Sequence, residues 1–477
     1  MQDAWLHDAA LHDSLTRMTR TGLIDREREL EALENAAGAN SGQLVIVSGR
    51  RRVGKTFLLQ AFGEHHRTVY YTATQQSAPI ELAAFTDTVR ASLGNDGLPA
   101  GYAFPDWSVA LDFVTDRSTA QRLVLVIDEF PYLAGSTPGI ESIVQRWWDS
   151  RGRHSSLMVV LCGSAVAYME QIGGAAAPLH QRATATVRVA ALDYRSAGKF
   201  VGSLAPADRA VVYGILGGTP LYLDQWDPRA SRRANLLRLF GNPASPLVDA
   251  AELVLSGELP ELENAFRILQ AVAIGKTRPG GIADYARVAV ERPLKRLTML
   301  GILERRVPAL DDPARSKRSI YRIADPYFAF WFRFVASYRA NIARGLGAQL
   351  VDNRILPGLD DYMGGVFEDI TREHARLLAA RGDLAADRVD AWWSADGEHE
   401  IDIVGVSGRG VGFVGEAKWS ARPLSAGVLR ALEAHVEALP GITPMTPRLL
   451  YGRAGCRPGL TALPPVRCFS IADLYAD

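Results

Sequence analysis

From Gln43 to Leu192 the chain alternates short, nearly unbroken apolar runs with stretches whose apolar residues recur at helical spacing. The runs are LVIVSG, TVYYTA, RLVLVIDE, LMVVLCG and ATVRVAAL. A strand that is apolar at every position is buried on both faces, and helices between such strands supply the covering layers. This region therefore predicts a parallel sheet. GLIDRERELEAL, just before it, predicts a turn into an acidic-basic helix. Residues 193–250 predict helices broken at GILGGTPLYL. Residues 258–325 predict short helices and then a hairpin, and PYFAFWFRFVASYRA, within 326–350, predicts an aromatic core-packing helix. From about residue 355 to 477 helix and strand alternate again. Residues 1–20 carry no strong pattern and predict a loose arm, while 242–252 and 346–358 are the expected linkers.

A chain of 477 residues exceeds a single core and predicts two to four domains. Formal net charge is zero, so any field that attracts nucleic acid must be local. Cys162, Cys456 and Cys468 are too few and too scattered for a disulfide framework or a zinc site, which predicts a reducing compartment. The opening MQDAWLHDAALHDSL is unlike a secretory signal, and no apolar stretch approaches the roughly 20 residues of a membrane span. The expectation is a cytoplasmic protein without a membrane partner.

VIVSGRRRVGKTFLLQAF changes this from a generic α/β reading to a chemical one. Gly49, four residues, then Gly54-Lys55-Thr56 follow an apolar strand and open a helix, the context a phosphate loop requires. Glycines let backbone N–H groups approach phosphate oxygens, and the helix N-terminus adds positive potential. Lys55 is expected at the β- and γ-phosphates and Thr56 on Mg²⁺, with Arg52 and Phe57 completing the ATP contacts. RLVLVIDEF ends a buried strand in Asp128-Glu129. Asp128 is expected to hold the Mg²⁺ hydration shell and Glu129 to orient or deprotonate the attacking water. LMVVLCGSA ends in Ser164, which either senses the γ-phosphate or caps the next helix.

Strand, phosphate loop, helix, then apolar-Asp-Glu, then strand-Gly-Ser resembles the AAA+-related ATPases. The GLIDREREL entry is similar to that of their archaeal and prokaryotic ATPase family. The family carries Pro-Leu-x-x-Arg after the serine strand, and here residues 178–182 read PLHQR, with His180-Gln181 departing from the usual pair. The resemblance makes Arg182 a transition-state arginine, against the alternative of a surface salt bridge. GGTPLYL, residues 217–223, resembles the Gly-Gly-x-Pro element of the family's helical lid. The resemblance allows both a ring and a monomer.

Between Lys276 and Arg322 there are twelve Lys and Arg against five Asp and Glu, in a neutral protein. ERPLKRLTMLGILERRV, followed by RSKRSIYRI, resembles a winged helix-turn-helix over residues 258–325. Arg292, Lys295 and Arg296 then lie on the recognition helix, and Arg315, Lys317 and Arg318 on the wing. Such a module binds double-stranded DNA through the major groove and phosphates, or else serves only as a packing unit.

EIDIVGV and GVGFVGEAKWS predict two strands joined through SGRG. Period-2 geometry puts Glu416 and Lys418 on one face, and the hairpin brings Asp402 alongside. Two carboxylates and an ammonium on one buried face are costly unless paired or bound to metal. With Glu368 on the helix GGVFEDITREHARLL, the set resembles the PD-(D/E)xK nuclease fold over residues 355–477. The resemblance makes Glu368, Asp402 and Glu416 metal ligands and Lys418 the group that activates water and stabilises the phosphate, in Mg²⁺-assisted phosphodiester hydrolysis.

The expected fold is α/β. It comprises a P-loop NTPase sheet (21–192), a helical lid (193–257), a winged helix with its aromatic connecting helix (258–350) and a restriction-endonuclease-like domain (355–477). The expected function is ATP hydrolysis by a DNA-associated protein with a metal-dependent nuclease domain. The alternatives are a nucleotide-controlled DNA-binding regulator or defence switch that does not cut, and a partner-recruiting scaffold.

Overall fold

The computed structural model describes residues 22–94, 98–99, 101–174, 177–259, 261–408, 410–460 and 465–476, so the expected arm at 1–20 lies outside the described residues. The chain forms two compact units, one of Met1–Ala191 with Thr219–Leu221, the other of Leu192–Gly218 with Tyr222–Asp477.

The first unit holds α1 (Glu27–Ala37), β1 (Gln43–Ser48), α2 (Lys55–Gly63), β2 (Thr68–Thr72), α3 (Ala78–Leu93), α4 (Trp107–Asp116), β3 (Leu123–Asp128), α5 (Phe130–Ser136), α6 (Ile140–Ser150), β4 (Leu157–Gly163), α7 (Val166–Ile172) and β5 (Ala185–Arg188). All five strands are parallel, in the order β2-β3-β4-β1-β5. The apolar runs explain why. Leu44 and Ile46 of β1 enter one core with Leu125, Ile127, Val159 and Leu161, while Val45 and Val47 enter a second with Val124, Val126, Met158 and Val160. Alternate side chains thus feed two cores, and each buried aliphatic contributes about 1.5–3 kcal/mol. The order places β4 between β1 and β3, so the loops after β1, β3 and β4 meet at one edge of the sheet. Ligands of open parallel sheets bind at that carboxyl edge.

The second unit begins with α8 (Tyr194–Phe200), α9 (Pro206–Leu216) and α10 (Pro246–Glu258). Then come α11 (Leu262–Ala273), α12 (Pro279–Ala286), α13 (Glu291–Met299) and an antiparallel pair, β6 (Leu303–Arg306) and β7 (Ile320–Ile323). The aromatic segment is helical but interrupted: an α-turn at Pro326–Phe330 passes into a π-turn at Trp331–Val335 and a 3₁₀ turn at Ala336–Tyr338. Both expected linkers are helical instead. Residues 246–252 lie in α10, and Gly347–Ile355 lead directly into the long helix α14 (Leu356–Ala380), whose 25 residues place Glu368 mid-helix. Proline at a helix's first turn starts it rather than breaks it, which accounts for the first misreading.

A second sheet follows, in the order β12-β11-β10-β9-β8, from β8 (Arg388–Trp393), β9 (Glu400–Ser407), β10 (Gly410–Lys418), β11 (Arg448–Gly452) and β12 (Val466–Ser470), with α15 (Ala426–Val436) between β10 and β11. β8, β9 and β10 are antiparallel neighbours, and β10, β11 and β12 are parallel. Cys456 and Cys468 form a disulfide, against the expectation of unpaired thiols, and Cys162 is the buried free cysteine. The cause is topological. β12 returns beside β11, and the loop after β11 bridges back at Leu424–Cys456.

Candidate functional site

At the carboxyl edge of the first sheet, the loop between β1 and α2 is shaped by residues that tolerate its backbone. A Cβ on Gly49 would stand 2.3 Å from the Val189 carbonyl oxygen, so the loop passes there only as glycine. Gly54 (φ 97°) is left-handed and opens α2. Arg52 also has positive φ, 71°, in a side-chain-bearing residue, a strained conformation concentrated at ligand clamps. Lys55 is buried, and its Nζ donates to the Gly49 and Arg50 carbonyls at 2.8 and 3.0 Å. Phe57 is half-buried on the first turn of α2.

The carboxylate of Asp128 gathers the rest. Thr56 Oγ1 and the Tyr70 hydroxyl both donate to Oδ2 at 2.8 Å, and the Glu129 N–H donates to Oδ1 at 2.9 Å. Burial, then the Asp128 charge, pushes the Tyr70 phenol far above its ordinary range, so it stays a neutral donor. Glu129 is left-handed at φ 52°, immediately before α5. Ser164 Oγ contacts both of its carboxylate oxygens, at 2.8 and 3.0 Å. Ser164 therefore meets Glu129 rather than capping α7, whose cap residue is Ala165. A threonine hydroxyl bonded to a strand-end carboxylate, beside a loop lysine, suits Mg²⁺ with nucleotide phosphates, because both oxygens are hard ligands. Arg182 is engaged elsewhere. Its Nε and Nη2 donate to the two oxygens of Asp149 at 2.9 and 2.8 Å, and Nη1 donates to the Pro178 and His180 carbonyls.

Two residues of this unit escaped sequence reasoning. Tyr70 reads as one more residue of an apolar strand. Arg26 is buried and donates to the Val53 carbonyl of the phosphate loop at 3.1 Å and to the Ala190 carbonyl at 2.7 Å. The GLIDREREL entry was the signal available for it.

In the second unit, the antiparallel register that pairs Gly415 with Ile403 carries Glu416 and Asp402 one step further, to facing positions. The Ala417 N–H donates to Asp402 Oδ2 at 2.9 Å. Lys418 Nζ lies 2.5 Å from Glu416 Oε1 and 4.0 Å from Asp402 Oδ2. Glu368 faces Arg322 at 3.4 Å and Arg372 at 3.8 Å. Arg372 also donates to the Asp402 carbonyl at 2.8 Å and to Asp369. Burial raises all three acids. Glu416 adds to the shift of Asp402, which reaches about 6, and Asp402 adds to that of Glu368. Burial would lower Lys418, but its hydrogen bond to Glu416 raises it overall. The residue types suit Mg²⁺. Among the described residues no three His, Cys, Asp or Glu side chains are grouped to hold a metal ion. Lys418 contacts both strand acids, and two arginines face Glu368, so each of the three carboxylates meets an internal cation.

The basic segment divides in two. Arg292 and Lys295 on α13 are exposed, as are Arg315 and Lys317. Arg296 instead donates to the Glu258 carbonyl, and Arg318 pairs with Asp311 and donates to the Trp393 carbonyl at 3.1 Å. The loop between β6 and β7 lies against β8, where the Ala309 N–H donates to the Ala391 carbonyl at 2.9 Å.

The first sheet and its loop site define a P-loop ATPase domain. Residues 23–226 match the family described as an ATPase domain predominantly from Archaea, and residues 331–431 match archaeal and bacterial proteins of unknown function. An uncharacterized protein of Methanocaldococcus jannaschii is 25% identical over 83% of this chain and 87% of its own. An uncharacterized ATP-binding protein of the same organism is 46% identical over 44 residues, 9% of this chain and 75% of its own. Among solved structures, a Walker-type ATPase of Pyrococcus abyssi is similar with a TM-score of 0.45 and 20% identity, over 65% of this chain and 96% of that one. The Aeropyrum pernix ORC2 protein is similar with a TM-score of 0.38 and 15% identity, over 68% and 94%. Among the described residues no helix is long and apolar enough to cross a membrane.

Proposed function

We propose that this protein hydrolyses ATP at the loop site and uses the nucleotide cycle to control its association with DNA. The observation that carries this reading is the Thr56–Asp128 contact beside Lys55, with Glu129 and Ser164 next to it. Backbone N–H groups between Gly49 and Gly54 and the Lys55 ammonium bind the phosphates. Thr56 and Asp128 would hold Mg²⁺, which would supply neutralisation of the phosphate charge. Glu129 orients the attacking water and accepts its proton, and Ser164 holds Glu129 in place. Lys55→Ala should lose ATP binding, and Glu129→Gln should bind but not turn over. Wild-type hydrolysis by Lys55→Ala would overturn the assignment.

The DNA side rests on exposed Arg292, Lys295, Arg315 and Lys317, in a segment we read as a winged helix at 258–350, between a helical lid at 193–257 and a nuclease-like domain at 355–477. Cation contacts to phosphates make duplex affinity fall with salt, and replacing Lys317 should reduce that slope.

The second reading is a switch whose C-terminal domain does not cut. Lys418 on Glu416 and Arg322 near Glu368 favour it, because both cations occupy carboxylates that a nuclease needs for metal. Incubating DNA with Mg²⁺ or Mn²⁺, with and without ATP, separates the readings. Cleavage abolished by Asp402→Ala and Lys418→Ala supports a nuclease. Absent cleavage, with DNA affinity that differs between ATP and ADP, supports the switch.

A further inference from the structure

A cavity of about 780 Å³ opens within the second unit, between α11, α12, β7, the aromatic segment and α14. That volume lies in the range of small-molecule sites. Its walls combine two features. Arg322 and Arg333 line it, while Ile274 and Tyr285 at its wall are 58% and 44% exposed, large apolar side chains that the fold leaves uncovered. Both arginines have replaceable partners. Arg333 pairs with Asp361, which is itself 81% exposed. Arg322 stands 3.4 Å from Glu368, longer than the roughly 2.7–2.9 Å of a strong charge-assisted bond. Gly365 of α14 makes room for the Arg322 guanidinium, since a Cβ there would stand 3.0 Å from Nη2.

The carboxylates of the cavity do not make it a cation site. Asp369 is taken by Arg306 and Arg372 from behind the wall. These arginines hold it well below the usual carboxylate range even though desolvation acts in the opposite sense. Counting those two arginines, Asp361, Glu368, Asp369 and Glu373 are balanced by four guanidinium groups. An exchangeable pair of arginines beside an open aromatic side chain is the chemistry that binds a nucleotide unit: phosphate on guanidinium, base on ring. A base-paired duplex cannot enter such a cavity, but an unpaired strand can place a nucleotide in it.

We propose that the cavity seats one nucleotide unit of single-stranded nucleic acid, with its phosphate on Arg322 and Arg333 and its base against Tyr285. This rests on the DNA-associated reading and names the strand form that reaches the Glu368 side of the acidic site. Because Arg322 is also one of the two arginines facing Glu368, a phosphate that captures Arg322 leaves that carboxylate to Arg372 alone.

The test uses the full-length chain carrying Lys55→Ala, so that the phosphate loop does not contribute, and EDTA, so that cleavage cannot contribute. Anisotropy of a short labelled single strand is measured for this chain and with Arg322→Gln, Arg333→Gln or Tyr285→Ala added. Each added change should weaken single-strand binding about tenfold, as loss of one charged hydrogen bond or one stacked base does. Duplex affinity should stay within about twofold for Tyr285→Ala. Arg333→Gln and Tyr285→Ala alter exposed side chains, and equal thermal melting confirms their fold. Single-strand affinity unchanged in both overturns the proposal while leaving the DNA-associated reading intact. Absence of any strand or duplex binding by the parent chain overturns both. Thymidine monophosphate that binds where no strand does, and loses binding in the same variants, assigns the cavity to free nucleotide and overturns the strand form.

Discussion

Ser164→Ala is the most direct probe of the hydrolytic step. The Ser164 hydroxyl spans both carboxylate oxygens of Glu129, and the backbone N–H of Ser164 approaches Oε2 at 3.4 Å. Glu129 needs such support because its backbone is left-handed, a conformation costing about 1–2 kcal/mol for a side-chain-bearing residue. Removing the hydroxyl deletes one hydrogen bond to a charged group, about 1.5–3 kcal/mol. At 1.4 kcal/mol per factor of ten, kcat should fall about 10- to 100-fold if that energy serves to hold Glu129 on the attacking water. Thr56, Asp128 and Lys55 keep their contacts, so ATP affinity should stay within about threefold.

Steady-state phosphate release gives kcat, and equilibrium binding of a slowly hydrolysed ATP analogue gives affinity. Ser164→Thr retains the hydroxyl and should recover most of the loss. Unchanged or increased turnover in Ser164→Ala would refute the reasoning. An increase would mean that Ser164 restrains Glu129 away from the water.

Arg26→Ala leaves the Val53 and Ala190 carbonyls without their donor and should cost about 2–5 kcal/mol in urea denaturation, with weaker ATP binding because the phosphate loop loses its brace. Arg182→Ala should change turnover per chain less than about threefold, since its guanidinium is committed to Asp149; a loss of tenfold or more in kinetic assays would restore it to the transition state. Burial, then nearby Arg195, lowers His374 to about 4, so it is neutral in the folded chain at neutral pH. A depressed folded value makes its contribution complete above the unfolded pKa of about 6.5 and lost as pH falls toward 4, by about 3 kcal/mol in all. Denaturation midpoints of wild type and His374→Gln should therefore converge on acidification, and parallel pH profiles would contradict this.

The first sheet was legible because its three central strands, β1, β3 and β4, are nearly unbroken aliphatic runs buried at every position. Asp128 and Glu129 stood out as acids at the end of such a run. Tyr70 did not, since a tyrosine in TVYYT serves equally as core. Its neighbour Tyr71 does so, its hydroxyl bonded to Glu81, and only strand pairing reveals that Tyr70 faces Asp128. Arg26 binds carbonyls 27 and 164 residues away, beyond any local pattern. The disulfide is invisible for a similar reason. Its cysteines lie twelve positions apart, and only the return of β12 beside β11 brings them together.

The basic segment shows how charge counts mislead. Twelve Lys and Arg between residues 276 and 322 suggest a surface field. Four of them face inward: Arg296 to the Glu258 carbonyl, Arg306 to Asp369, Arg318 to Asp311 and Arg322 to Glu368. Those contacts neutralise acids or cap carbonyls, so they add little to the potential outside. What remains exposed to solvent is a smaller set led by Arg292, Lys295, Arg315 and Lys317. The inward set does different work, since Arg306 and Arg322 lie on the two strands of the β6–β7 pair and reach adjacent acids of α14. Each strand of that hairpin is thus joined to α14 by one ion pair, Arg306 to Asp369 and Arg322 to Glu368.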